Sequence, residues 1–205
     1  MDDHIKIINI IKKIDKEINN LPKKEFIELI IKHQNLSSVK GESENIYKKK
    51  SNLKNAGNGI FAKKDFNVGD IICMYQPYTI LDKDDNHVIT LDKDRKNYSE
   101  ILKCYGDYML NLKHNISLFG NPDYCMNEHY LGHMPNDRGY SPFKRYNDKF
   151  NNGFFSFLYL IASKPIKKNQ EIFISYGDVY WFQISDSLGG VSRHLKIKKQ
   201  IRDKK

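Results

Sequence analysis

Cysteine is scarce in this chain, and what there is does not pair. Cys73, Cys104 and Cys125 are the three among 205 residues, and no two of them form a C-x-x-C spacing. That pattern indicates neither a disulfide framework nor a cysteine-bound zinc, so buried or incidental thiols and no metal site are expected. Also missing is any apolar run approaching the roughly 20 residues that a bilayer-spanning helix needs. The opening Met-Asp-Asp-His has none of the basic, apolar and small-residue order of a secretory leader. These absences set the expectation of a soluble intracellular protein without membrane association. Acidic residues are the minority, 25 Asp and Glu against 34 Lys and Arg, for a net charge of +9. Such a surface attracts polyanions, or proteins that travel with them. Lysine outnumbers arginine heavily, however, and the chain is crowded with Asn and Ile, as an A- and T-rich coding bias would produce. Basicity is therefore weak evidence, and nucleic acid is expected to interact only through weak electrostatics.

Hydrophobic residues make up 40% and aromatics 12%, enough to bury a core in one sizeable domain with a small extension. The apolar positions Ile7, Ile8, Ile11, Ile14, Ile18 and Leu21 recur at helical spacing, which predicts a first helix. Pro22 suits the first turn of a second, whose apolar face continues through Phe26, Ile27, Ile30 and Ile31. A hairpin packed against the main domain is the plainer reading, and dimerisation or partner docking the alternative. Leu36 to Glu44 reads as a polar linker. Short strands follow, at Ile71–Tyr75, Phe154–Ala162 and Glu171–Tyr176. Between Leu81 and Asn97 the charge is dense and the periodicity poor, which predicts an exposed insertion. The segment from Val191 carries seven basic residues against one Asp and reads as a solvated tail.

Two stretches resemble one another. Gly59–Ile72 and Leu160–Phe173 each give a strand ending in Ala, a basic step, an apolar residue, a turn and a second strand. Gly69 and Asn169 fall at the turns, where positive φ is tolerated. Paired strand–turn–strand units of this kind point to a β-rich fold of short sheets. The segment Gly57-Asn58-Gly59-Ile60-Phe61-Ala62 fits the dinucleotide-binding G-x-G-x-x-G/A pattern. The lysine-rich residues before it make a poor buried strand, Gly69 interrupts any crossover helix, and no βαβ alternation follows, so a nicotinamide enzyme is a weak reading.

In order along the chain, the remaining signals resemble the SET-domain family of protein-lysine methyltransferases. Gly57-x-Gly59-Ile-Phe-Ala with Gly69 is similar to its opening. Tyr108-Met-Leu-Asn-Leu is similar to its middle strand, and Leu131-Gly-His-Met-Pro-Asn136-Asp137 to its Asn-His segment. Ile161 through Glu171-Ile-Phe-Ile-Ser-Tyr176-Gly177 closely resembles the closing strand pair, extended by Asp178-Val-Tyr180-Trp181. The likeness covers about residues 46 to 185. It implies a mainly β chain with α additions (α+β), a β-clip of small curled sheets with a knot-like threaded crossing, plus N-terminal helices. The implied organisation is a helical extension and linker over 1–45, a catalytic domain over 46–185 and a basic tail over 186–205.

The resemblance also implies chemistry. S-adenosylmethionine is the expected cofactor, with Gly57, Asn58, Gly59, Tyr108, Asn136, Asp137 and Trp181 as candidate binding residues. Glycines let backbone approach a ligand closely, and an Asn amide offers both donor and acceptor. Tyr108, Tyr180, Trp181 and Phe182 are candidate walls for the cofactor and lysine channel, with core packing as their rival account. Tyr176 is the candidate catalytic residue. Methyl transfer needs the lysine lone pair, a dry channel beside a sulfonium disfavours the ammonium form, and a phenol oxygen can orient the amine. Three departures stand out: Asp137 replaces the usual His, Arg138 a common Ser, and Ile174 a residue that is often aromatic and helps set how many methyls are added. The expected partner is a lysine-bearing protein, with histones a candidate; the alternative is a non-catalytic SET-like module that binds a protein or chromatin.

Overall fold

The computed structural model describes residues 3–36, 42–53, 56–85, 87–90, 98–121, 131–138 and 148–177. It opens with helices α1 (Asp3–Ile18) and α2 (Lys23–Leu36), and a single helical turn, α3 (Glu42–Asn45), ends the stretch expected to be linker. Among the described residues ten short strands follow, with one further α-helix, α4 (Tyr98–Tyr105). The strands are β1 (Ile46–Lys50), β2 (Asn58–Ala62), β3 (Ile71–Met74), β4 (Thr79–Asp82), β5 (His87–Thr90), β6 (Met109–Asn111), β7 (Ile116–Phe119), β8 (Gly153–Ser156), β9 (Tyr159–Ala162) and β10 (Glu171–Ile172). They form three antiparallel sheets, in the orders β1-β2-β10, β3-β9-β8 and β5-β4-β7-β6.

The two similar stretches clasp each other. Ala62 N–H donates to Gln170 O at 3.0 Å, and Ala162 N–H to Asp70 O at 2.9 Å. Asn169 N–H donates to Ala62 O and Gly69 N–H to Ala162 O, at 2.7 and 2.8 Å, while Phe66 and Ile166 exchange both backbone bonds. Gly69 and Asn169 have φ of 85° and 68°, as the turn residues predicted. The last turn residue of each unit also closes it by side chain: Asp70 accepts Asn67 N–H and Gln170 accepts Lys167 N–H. Each unit supplies the hydrogen bonds that the other's strand ends lack.

Ile46, Ile60, Ala62, Phe66, Ile72, Leu160, Ala162, Ile166 and Ile172 fill the core between these sheets, with Tyr176 packed against it. A second core joins Ile14, Ile18, Phe26 and Ile30 of the helices to Tyr75, Ile80, Ile116, Leu118, Leu158 and Ile161. The helical pair is thus packed against the sheets.

Three segments differ from expectation. The presumed insertion holds the hairpin β4–β5, with Leu81 and Asp82 buried and the charges of 83–85 gathered in its turn. Asp82 accepts the N–H groups of Asp84 and Asp85, so an acidic side chain builds the turn from inside a strand. Residues 91–97 lie outside the described residues. The stretch 154–162 reverses at Phe157, whose φ is 52°, and becomes the hairpin β8–β9. The expected strand 171–176 stops after Ile172, and Phe173 to Tyr176 dock instead on the loop 135–137.

Candidate functional site

Loop 131–138 and the segment after β10 run alongside each other, and three hydrogen bonds register them. Asn136 bridges Phe173 in parallel, and Ile174 N–H donates to Asn136 O at 2.9 Å. Tyr176 N–H donates to Asp137 Oδ2 at 2.8 Å, and the Tyr176 hydroxyl donates to Pro135 O at 2.8 Å. The tyrosine is half-buried and held at both its backbone and its phenol. Because the hydroxyl spends its proton on Pro135, its lone pairs are what it can turn to a ligand.

A carboxylate is bonded to the loop that carries Asn136. Glu171 is only 2% exposed. Its Oε1 accepts from Ser51 Oγ at 2.6 Å and Asn136 Nδ2 at 3.3 Å, and its Oε2 from Asn52 N–H at 2.8 Å. Asn136 Nδ2 also donates to Asn58 O at 3.1 Å. With both amide protons committed inward, this side chain keeps only its carbonyl oxygen for a ligand. Glu171 and Asn136 also account for Gly59, where a Cβ would lie 2.3 Å from Glu171 Oε1 and 2.9 Å from Asn136 Nδ2. Gly57 is a glycine for another reason. Its φ is 68°, and nothing lies within 4 Å of where its Cβ would be. One glycine seats the carboxylate and the other leaves an open, exposed backbone surface beside it.

The structure therefore links Asn58 and Gly59 to Asn136 and Glu171, with Gly57 next to them in the chain, and ties Asp137 and Tyr176 to the loop that carries Asn136. Tyr108 is placed differently. It closes a 3-10 turn, Gly106–Tyr108, ahead of β6, and its ring meets His133 edge-on with centroids 5.4 Å apart. Its carbonyl oxygen accepts the hydroxyl proton of the buried Tyr75, whose burial pushes the phenol pKa up. Tyr108 thus supports the loop that carries Asn136 through His133. His133 is 7% exposed, and burial, with Lys48's charge adding to it, lowers its pKa to about 4. Gly120 and Gly132 make room here: a Cβ at Gly120 would sit 2.3 Å from His133 Cγ, and one at Gly132 1.9 Å from Met74 O. Trp181, with Tyr180 and Phe182, lies outside the described residues, as does the basic tail.

Sequence reasoning missed several supporting residues. Asn152 donates through Nδ2 to Glu171 O at 3.0 Å and accepts Phe173 N–H at 2.8 Å, so a side chain takes a strand's place beside β10. Asn151 links Asp137 Oδ1, at 3.1 Å, to Arg138 N–H, at 3.0 Å. Arg138 lies over the rings of Phe150 and Phe173, 5.6 and 5.5 Å from their centroids. The only advance signal was an Asn-Asn-Gly run, which is ordinary in an Asn-rich chain. Among the described residues no three His, Cys, Asp or Glu side chains gather as a metal site, and no helix is long and apolar enough to cross a membrane.

A family model described as the SET domain matches residues 57–177. Among solved structures, a Plasmodium falciparum protein named provisionally as a histone methyltransferase is 18% identical, with 67% of this chain and 97% of that one covered and a TM-score of 0.39. No curated protein matches the chain.

Proposed function

The chain belongs to the SET-domain family, whose model spans more than half of it, and from that premise we propose that it transfers a methyl group from S-adenosylmethionine to the side-chain amine of a lysine in a protein substrate. The observation that carries this reading is the double hold on Tyr176 by the loop that carries Asn136.

The residues present fit the cofactor. Gly57 offers exposed backbone, Asn136 keeps a carbonyl oxygen, and the half-buried phenol of Tyr176 is bonded to the loop that carries Asn136. When bound, adenosylmethionine supplies an electrophilic methyl carbon on a positive sulfur. The chain's own contribution is orientation and dryness. A free lysine, with pKa near 10.4, is almost wholly protonated at neutral pH. Low solvent exposure beside a positive charge favours its neutral form. The Tyr176 oxygen, with its proton committed to Pro135, then accepts from the amine and from the polarised methyl C–H groups. Trp181 is proposed as an additional wall of the cofactor site. Residues 46–185 are proposed as the catalytic unit, with 1–45 as a helical extension and 186–205 as a basic tail. The parallel docking of 136 on 173 supports a threaded crossing of the kind expected.

The test is transfer of labelled methyl to a panel of histones and cell-extract proteins, with mass spectrometry of the marked residue. Wild type is expected to mark lysine. Tyr176→Phe keeps the ring and removes the hydroxyl, and should slow transfer by about tenfold or more. Equal transfer by the two proteins overturns the role of Tyr176. A wild type that binds no cofactor turns the reading toward a non-catalytic module that recognises a protein partner.

A further inference from the structure

Asp137 stands where the family resemblance implies histidine, and its surroundings give the carboxylate a task that histidine cannot perform. Two donors converge on it: Tyr176 N–H on Oδ2 at 2.8 Å, and Asn151 Nδ2 on Oδ1 at 3.1 Å. Asn151 is not free to turn its amide the other way, because its Oδ1 accepts Arg138 N–H at 3.0 Å. Asp137 and Asn151 are 7% and 5% exposed, so water is a poor substitute for a lost partner. Position 137 must therefore accept at two points, and the two oxygens of a carboxylate do so. We infer that Asp137 is a positioning residue that sets the place of Tyr176, with Asn151 as its fixed second partner.

The inference rests on the proposed role of Tyr176 as the residue that meets the lysine. The loop 135–137 holds that tyrosine at two ends, its backbone N–H through the Asp137 carboxylate and its phenol through Pro135 O. Loosening one end lets the phenol drift, and a misplacement of about 1 Å can cost on the order of 10²-fold in rate. A neutral imidazole offers one acceptor nitrogen. Asp137→His, which restores the family's usual residue, thus leaves one donor facing no acceptor and lowers turnover in this chain.

The decisive experiment is an exchange of partners. Asp137→Asn alone sets its own amide N–H groups against those of Asn151. Asp137→Asn combined with Asn151→Asp restores these three bonds. The amide then at position 137 accepts Tyr176 N–H through its oxygen and donates to the carboxylate now at position 151, which in turn accepts Arg138 N–H. Two readouts are followed on the full chain, hydrogen exchange at the Tyr176 amide and methyl transfer. The single variant should exchange about tenfold faster and show kcat lowered about tenfold, with the adenosylmethionine Kd within about threefold of wild type. The double variant should return both to within about threefold. The inference is overturned if Asp137→Asn matches wild type in exchange, or if the double variant is no better than the single one. Should exchange follow the predicted pattern while no version transfers methyl, positioning by Asp137 stands and the methyltransferase reading falls.

Discussion

At the scale of single residues, the site is organised by a buried carboxylate. Glu171 accepts from three donors that come from two distant parts of the chain, Ser51 and Asn52 on one side and Asn136 on the other. Glu171→Gln turns one acceptor into a donor facing donors and should destabilise the protein by about 1–3 kcal/mol, measured by urea unfolding. Gly59→Ala drives a methyl group into the same carboxylate. It should cost a similar amount, about 1–3 kcal/mol, and weaken cofactor binding by calorimetry, whereas Gly57→Ala, with open space around it, suffers only from its φ. His133 predicts a pH dependence. Its folded pKa of about 4 lies below the ordinary 6.5, so the unfolded chain takes up the proton first. The stability it supports is complete above pH 6.5 and is lost as pH falls from there towards 4, levelling off below. Unfolding free energy should drop by roughly 2–3 kcal/mol between pH 7 and 4.5 from this residue, and His133→Asn should remove that part of the slope.

At the scale of elements, the N-terminal helices are structural partners of the sheets. Phe26 is 1% exposed and lies against the rings of His114 and Phe157, with the Lys113 ammonium 4.9 Å from its centroid. Lys113 also donates to Ile18 O, and His114 Nε2 bonds Leu21 O at 3.1 Å. Lys23 reaches the β4–β5 turn, 2.6 Å from Asp82 and within 3.2 Å of Asp84 and Asp85. Burial opposes ionisation of Asp82, but Lys23 and two turn N–H groups prevail and hold its carboxyl below the usual range. Phe26→Ala should therefore cost about 3–5 kcal/mol in urea unfolding. A chain begun at residue 46 should unfold at lower temperature than the whole protein; equal melting would make the helices dispensable. Helical periodicity made α1 and α2 legible, because an amphipathic face is written every three to four residues. The hairpin β4–β5 was not, since the charges of its turn outweigh four buried strand residues in any local composition.

At the scale of the whole molecule, the clasp of the two strand–turn–strand units sets where the site stands. Their likeness was visible as spacing, Ala to Gly69 or Asn169 and on to the next strand, because turn residues with positive φ leave a local signature. Their mutual pairing was not, since hydrogen bonds between residues about a hundred positions apart leave no periodic trace. The site divides in the same way. Gly57, Asn58, Gly59, Asn136 and Tyr176 were singled out as candidates through ordered motifs. Asn151, Asn152 and Ser51 act through single long-range bonds and were silent. Asp137 was legible only as a departure, and Asn151, 14 residues on, is what turns that departure into a fit. The +9 net charge played no part in locating the site.

The proposed function requires that the residues around Asn136 and Tyr176 bind a sulfonium nucleoside. Calorimetric titration of the full chain with S-adenosylmethionine, against a parallel titration with a nicotinamide dinucleotide, tests that most directly. Saturable one-to-one binding of the first, weakened in Gly59→Ala, and no binding of the second is the predicted result. Heat of binding for the dinucleotide alone, or for neither, would contradict it.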